Sequence, residues 1–117
     1  MKYYLSALTC IDTIWKRDVV EWFLWNKFIG VEHFYILDDQ SEIPVEKILS
    51  DYIEDVTIIK LKDSKNIKQS ELQEIMYDNY SHQTEWMAFI DDDEYIFPNT
   101  DLSFPNFLRG LPDASCV

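Results

Sequence analysis

The chain has 117 residues, 47% of them hydrophobic and 15% aromatic, and a formal net charge of −12. That length leaves room for one domain with a modest core, and the apolar content excludes a disordered tail. The charge argues against nucleic acid or an anionic membrane as partner, because both select a basic surface.

Two glycines, four prolines and no internal repeat imply regular elements joined by short connections, with no internal linker. Cys10 and Cys116 lie far apart and lack metal-type spacing, so no disulfide framework is expected, and a reducing, cytoplasmic compartment is the default. Met1-Lys2 runs directly into Tyr3-Tyr4-Leu5, so neither a signal peptide nor direct membrane insertion is expected.

Residues 3–11, aromatic and aliphatic with little charge, read as a first and central strand, followed by Asp12 and Thr13. Lys16 and Arg17 are candidate phosphate contacts or an ordinary surface cation pair, ahead of a helix that opens around Asp18. Over 19–29 one apolar stripe (Val20, Phe23, Leu24, Phe28) and a second (Trp22, Trp25, Ile29) predict a helix covered on more than one side. Gly30 stands where a positive-φ residue ends a helix, and Glu21 and Asn26 are the notable polar members before it.

Residues 31–37 read as a second strand, ending in Asp38-Asp39, and the unit so formed is βαβ with parallel strands. Asp38 is either a ribose or base ligand or the acceptor of an Asx turn into the next helix. His33 reads as a half-buried strand residue, not a ligand. Pro44 starts a short helix to about residue 52, and 56–61 form the third strand. Lys60, Lys62, Lys65 and Lys68 make a basic neighbourhood that could guide a phosphate but reads first as a solvated loop. Leu72, Ile75, Met76, Asn79 and Tyr80 trace a third helix with Ser70 as N-cap and Gln73 three residues on, and a short helix is expected over 102–108.

The stretch that organises these elements is Trp86-Met87-Ala88-Phe89-Ile90, read as a strand buried on both faces, which runs into Asp91-Asp92-Asp93-Glu94. Alternate residues leaving a strand share a face, so Asp91 and Asp93 can reach one hard cation, Mg²⁺ or Mn²⁺, through oxygen ligands. The competing reading is a solvated acidic turn. A chain this acidic binds a diphosphate only with a cation or a local donor cluster to offset repulsion, which favours the metal. The fold class expected is α/β, an open and mainly parallel sheet flanked by helices, with acids collecting at the carboxyl ends of the strands.

Three blocks in this order resemble glycosyltransferases of the family 92 and family 2-like group: 19–26 (VVEWFLWN), 30–41 (GVEHFYILDDQS) and 86–96 (WMAFIDDDEYI). The resemblance implies a GT-A fold and a single nucleotide-sugar-binding domain over 1–117, the N-terminal part of a longer enzyme. By the same resemblance Asp91 and Asp93 are the DxD element that holds a divalent metal, usually Mn²⁺, against a nucleotide-sugar diphosphate, and Glu94 completes the DxDE run. It further implies that Asp38 contacts the nucleoside, uridine of a UDP-linked donor above others, and it matches Gln73, Tyr77 and Glu21 to helix positions of the family. Asp12 stands roughly where the family has a basic-Asn-Glu motif, and Trp25-Asn26 replaces its aromatic-His pair. The implied activity is transfer of the sugar to a glycan, protein or lipid acceptor, with no residue assigned as general base. A module that retains the fold without turnover is the alternative, and an aspartate-dependent phosphohydrolase fits poorly for want of further acids on later strands.

Overall fold

In the computed structural model the described residues are 2–11, 16–39, 41–61, 69–97 and 103–111. They form four strands and four α-helices: β1 (Tyr3–Ile11), α1 (Lys16–Phe28), β2 (His33–Asp39), α2 (Val45–Ile48), β3 (Val56–Leu61), α3 (Gln69–Tyr80), β4 (Thr84–Phe89) and α4 (Phe104–Arg109). The strands make one sheet in the order β3-β2-β1-β4, and every pairing is parallel. This is the α/β class expected, and β1 is central.

The sheet is covered on both faces because its strands alternate apolar side chains between them. Leu5, Ala7 and Ile11 of β1 and Phe34 and Ile36 of β2 pack with Val19, Trp22 and Phe23 of α1, with Val45 and Ile48 of α2 and with Leu108 of α4. On the other face Leu8, Tyr35 and Leu37 meet Leu72 and Met76 of α3. The chain steps from β1 to β2 to β3 in one direction, then crosses by α3 to the far side of β1. The strand order therefore reverses between β1 and β4, and open α/β sheets place ligands outside the carboxyl ends at such a point.

Several sequence expectations shift. Among the described residues the strand that carries the acidic run is an edge strand paired with β1 alone, and Trp86, Met87 and Ala88 are half-buried and Phe89 is exposed, not buried on both faces. Apolar content reported the strand but not its neighbours. In α1 the buried stripe is Val19, Trp22, Phe23 and Asn26, while Leu24 is exposed and Phe28 is 82% exposed. The helix opens at Lys16, which makes Asp18 an acid of its first turn.

Ser70 lies inside α3, not at its N-cap, because that helix begins at Gln69. The element expected over 44–52 is a four-residue helix followed by a 3₁₀ segment (Ser50–Asp55), broken at Tyr52 with φ −125°. The last helix starts at Phe104, with Ser103 Oγ accepting the Asn106 N–H. Gly30 has φ +123°, and a Cβ there would stand 2.5 Å from Cδ and Cγ of Pro105. It thus ends α1 and lets α4 approach. No described helix is long and apolar enough to cross a membrane.

Candidate functional site

β4 delivers its carboxylates to the carboxyl edge beside β1. The Ile90 N–H donates to the Leu8 carbonyl at 3.2 Å, so pairing with β1 continues one residue past the strand. The chain then turns: the Glu94 N–H donates to the Asp91 carbonyl at 3.1 Å, and the Asp91 N–H donates to Glu94 Oε1 at 2.8 Å. Asp91 and Asp93 are therefore carried on a closed turn and not on an extended run, contrary to the alternation argument. Both are exposed, as is Glu94.

The turn is fixed on its far side by α1. Asn26 is wholly buried, and its Nδ2 donates to the Trp22 carbonyl at 3.0 Å and to the Glu94 carbonyl at 3.3 Å. Its Oδ1 accepts the Ile96 N–H at 3.1 Å, and Trp25 Nε1 donates to the Ile96 carbonyl at 3.0 Å. The Trp25 ring lies 4.8 Å from that of Phe97, which is 74% exposed, and 6.3 Å from that of Tyr95. Partial burial, with the carboxylates of Glu21 and Asp18 nearby, raises the Tyr95 phenol above its ordinary value. The acidic side of α1, including the Glu21 matched to the family, thus faces the residue that follows the DDDE run.

The end of β2 is built differently. Asp38 is 2% exposed; its Oδ1 accepts the Ser41 N–H at 3.0 Å and its Oδ2 accepts the Val45 N–H at 3.2 Å. Lys60, opposite Asp38 in the parallel register of β2 and β3, bridges it to Glu46. Burial alone would raise the Asp38 carboxyl; the Lys60 ammonium and the backbone donors outweigh it and hold the group below the usual carboxylate range. Ser41 Oγ donates to the Ile11 carbonyl at 3.3 Å, which ties this corner to the end of β1. The Asx turn is thus visible in the geometry, and Lys60 belongs to an ion-pair network and not to a solvated loop.

Of the other residues singled out, Gln73 is half-buried in the second turn of α3, the end nearer the carboxyl edge of the sheet, and Tyr77 packs edge-on against Phe89 at 6.1 Å. His33 is buried, stacked on Tyr3 at 4.4 Å and hydrogen-bonded to Thr57 Oγ1. Asp12, Lys62, Lys65, Lys68 and the side chains of Lys16 and Arg17 lie outside the described residues. Two residues escaped assignment from sequence. Asn26 carried a signal, since a polar residue within a helix's buried stripe needs a partner. The role of Lys60 depended on a cross-strand register that no local pattern shows.

The sequence model of glycosyltransferase family 92 matches residues 6–115, nearly the whole chain. The chain belongs to glycosyltransferase family 92. Family 92 membership makes it a glycosyltransferase, which requires an activated sugar donor and an acceptor. No curated protein matches the chain.

Among the described residues of this family 92 chain, no three His, Cys, Asp or Glu side chains are grouped to hold a metal ion. Mg²⁺ and Mn²⁺ take oxygen ligands, and Mg²⁺ in particular is usually bound by one or two carboxylates together with substrate phosphates and water. The exposed carboxylates of Asp91 and Asp93 are hard oxygen donors of the right kind.

Proposed function

We propose that this chain is the donor-binding domain, over residues 1–117, of a metal-dependent glycosyltransferase that takes a UDP-linked sugar and passes it to a glycan, protein or lipid acceptor. Mn²⁺ is the cation proposed, with Mg²⁺ as the alternative. The observation that carries this reading is the exposed acidic turn of residues 91–94 at the reversal of strand order in a family 92 chain.

Asp91 and Asp93 would hold the cation, and Glu94 would hold the turn by accepting the Asp91 N–H. A bound divalent cation supplies the positive charge that stabilises a leaving diphosphate. The protein's own charge of −12 opposes a diphosphate, so its residues need that compensation. At the end of β2, Asp38 would serve the nucleoside side of the site by bracing Ser41 and the start of α2. Gln73 and Asp12 enter as donor contacts through their positions in the family pattern.

A second reading is a module that keeps the fold and binds a ligand or a protein without turnover. Calorimetric titration of UDP and UDP-sugars, with Mn²⁺ and with chelator, tests the donor site, and an assay of sugar transfer or donor hydrolysis separates the enzyme from the module. Binding that needs Mn²⁺ and disappears in Asp91→Asn/Asp93→Asn is the expected result. Binding that survives the chelator overturns the metal assignment. A folded chain that binds no nucleoside diphosphate overturns the donor reading in favour of the module.

A further inference from the structure

Residues 90–97 follow β4 but belong to no strand or helix, so their backbone groups must find partners elsewhere. Three of these groups, in residues 94 and 96, find partners on the side chains of α1. The Glu94 carbonyl and the Ile96 N–H flank Tyr95, and in extended chain two such groups point to the same side, where a neighbouring strand would pair with both. The Asn26 carboxamide takes that place, donating to the one at 3.3 Å and accepting from the other at 3.1 Å. Trp25, one residue earlier on the helix, takes up the Ile96 carbonyl at 3.0 Å.

A wholly buried carboxamide in the last turn of a helix is costly unless satisfied, and an apolar residue would fill the stripe of Val19, Trp22 and Phe23 more cheaply. Among the described residues, its side-chain bonds beyond its own helix go to the two residues that border Tyr95, immediately after the acidic turn. The turn is therefore held at both ends, by the Ile90 bond to β1 on one side and by α1 on the other.

We infer that Asn26, seconded by Trp25, is the positioning residue of the acidic turn: it sets where the Asp91 and Asp93 carboxylates stand and so tunes their affinity for a divalent cation. The inference rests on the metal-binding role proposed above for those two aspartates. It follows the general behaviour of groups that orient metal ligands without touching the metal, whose loss weakens binding by about 10–100-fold.

The test uses the whole chain with Asn26→Leu, of similar size but with no polar atom, and Trp25→Phe, which keeps a ring and loses one donor. The first readout needs no metal: amide hydrogen exchange at residues 94–97, set against the amides of β1 and β2. Asn26→Leu should raise exchange at Ile96 at least about tenfold with the sheet amides unchanged, and Trp25→Phe should act in the same direction by about fivefold.

The second readout is Mn²⁺ affinity in the presence of UDP, expected to fall about tenfold in Asn26→Leu. Unchanged exchange at Ile96 in the folded variant overturns the inference, as does faster exchange with Mn²⁺ affinity within about twofold of the parent chain. If Asn26→Leu does not fold, Trp25→Phe decides by the same two criteria. If the parent chain binds no Mn²⁺ even with UDP, the metal reading is what fails, and the exchange data alone decide whether Asn26 orders the turn.

Discussion

The ends of β2 and β4 have similar sequences, an apolar strand followed by consecutive aspartates, yet the fold puts them to different uses. At the end of β2 the carboxylate of Asp38 is buried and engaged by Ser41, Val45 and Lys60. At the end of β4, Asp91 and Asp93 are exposed on a turn that is closed by backbone groups and by Glu94. The difference comes from position in the sheet. β2 is interior, with α2 packed over its end and β3 placing a lysine in register, whereas β4 is an edge strand with the reversal of strand order beside it. An acid run alone does not tell a buried, engaged carboxylate from an exposed one; its neighbours do.

The contrast can be broken at either end, and the largest effect is expected at β4. Asp91→Asn/Asp93→Asn should weaken Mn²⁺-dependent UDP binding by about 100-fold or more while leaving the urea midpoint close to that of the parent chain, because exposed carboxylates contribute little to folding. Asp38→Asn should do the reverse and cost about 2 kcal/mol of stability in urea titration, through the loss of charge-assisted bonds to Lys60 and to two backbone donors. Equal loss of stability at both ends would erase the distinction.

Gly30→Ala tests the scaffold that both ends share. A positive φ and the close approach of Pro105 should together cost about 2 kcal/mol, read by the same urea titration, with Mn²⁺ and UDP affinity unchanged in the folded fraction. Lys60→Met should cost less, about 1 kcal/mol, because its ammonium is partly exposed while Asp38 keeps its backbone donors.

The pH dependence sharpens the comparison further. The Lys60 bond holds Glu46 below its ordinary value, and Asp38 is also held low, by Lys60 and backbone donors that outweigh the opposing effect of burial. A depressed carboxyl contributes stability that is fully present above its unfolded value, about 4, and is lost as pH falls through the folded value. The urea midpoint of the parent chain should therefore fall below about pH 4, and that fall should be shallower in Lys60→Met. The smallest change is expected for Glu94→Gln: a neutral acceptor replaces a carboxylate at the Asp91 N–H, which should shift global stability by no more than about 0.5 kcal/mol.

Much of the architecture could be read along the chain. Strand-length apolar runs marked all four strands, Gly30 marked the end of α1, and the acids after 37 and 90 marked the carboxyl edge. Local patterns report local structure because side-chain period and turn chemistry act over a few residues. They misplaced the start of α3 by two residues and the buried stripe of α1 by about one position, since helix ends and helix faces are settled by what packs against them.

The sequence by itself determined the α/β class, the chain's family resemblance and the identity of the exposed carboxylates. Only the tertiary structure decided that β4 is an edge strand, that Lys60 stands opposite Asp38, and that Asn26 reaches across 68 and 70 residues of chain to hold residues 94 and 96. The physical reason is range: propensity and periodicity are properties of neighbours in sequence, whereas strand order, register and the satisfaction of a buried amide are set by groups that meet only when the whole core closes.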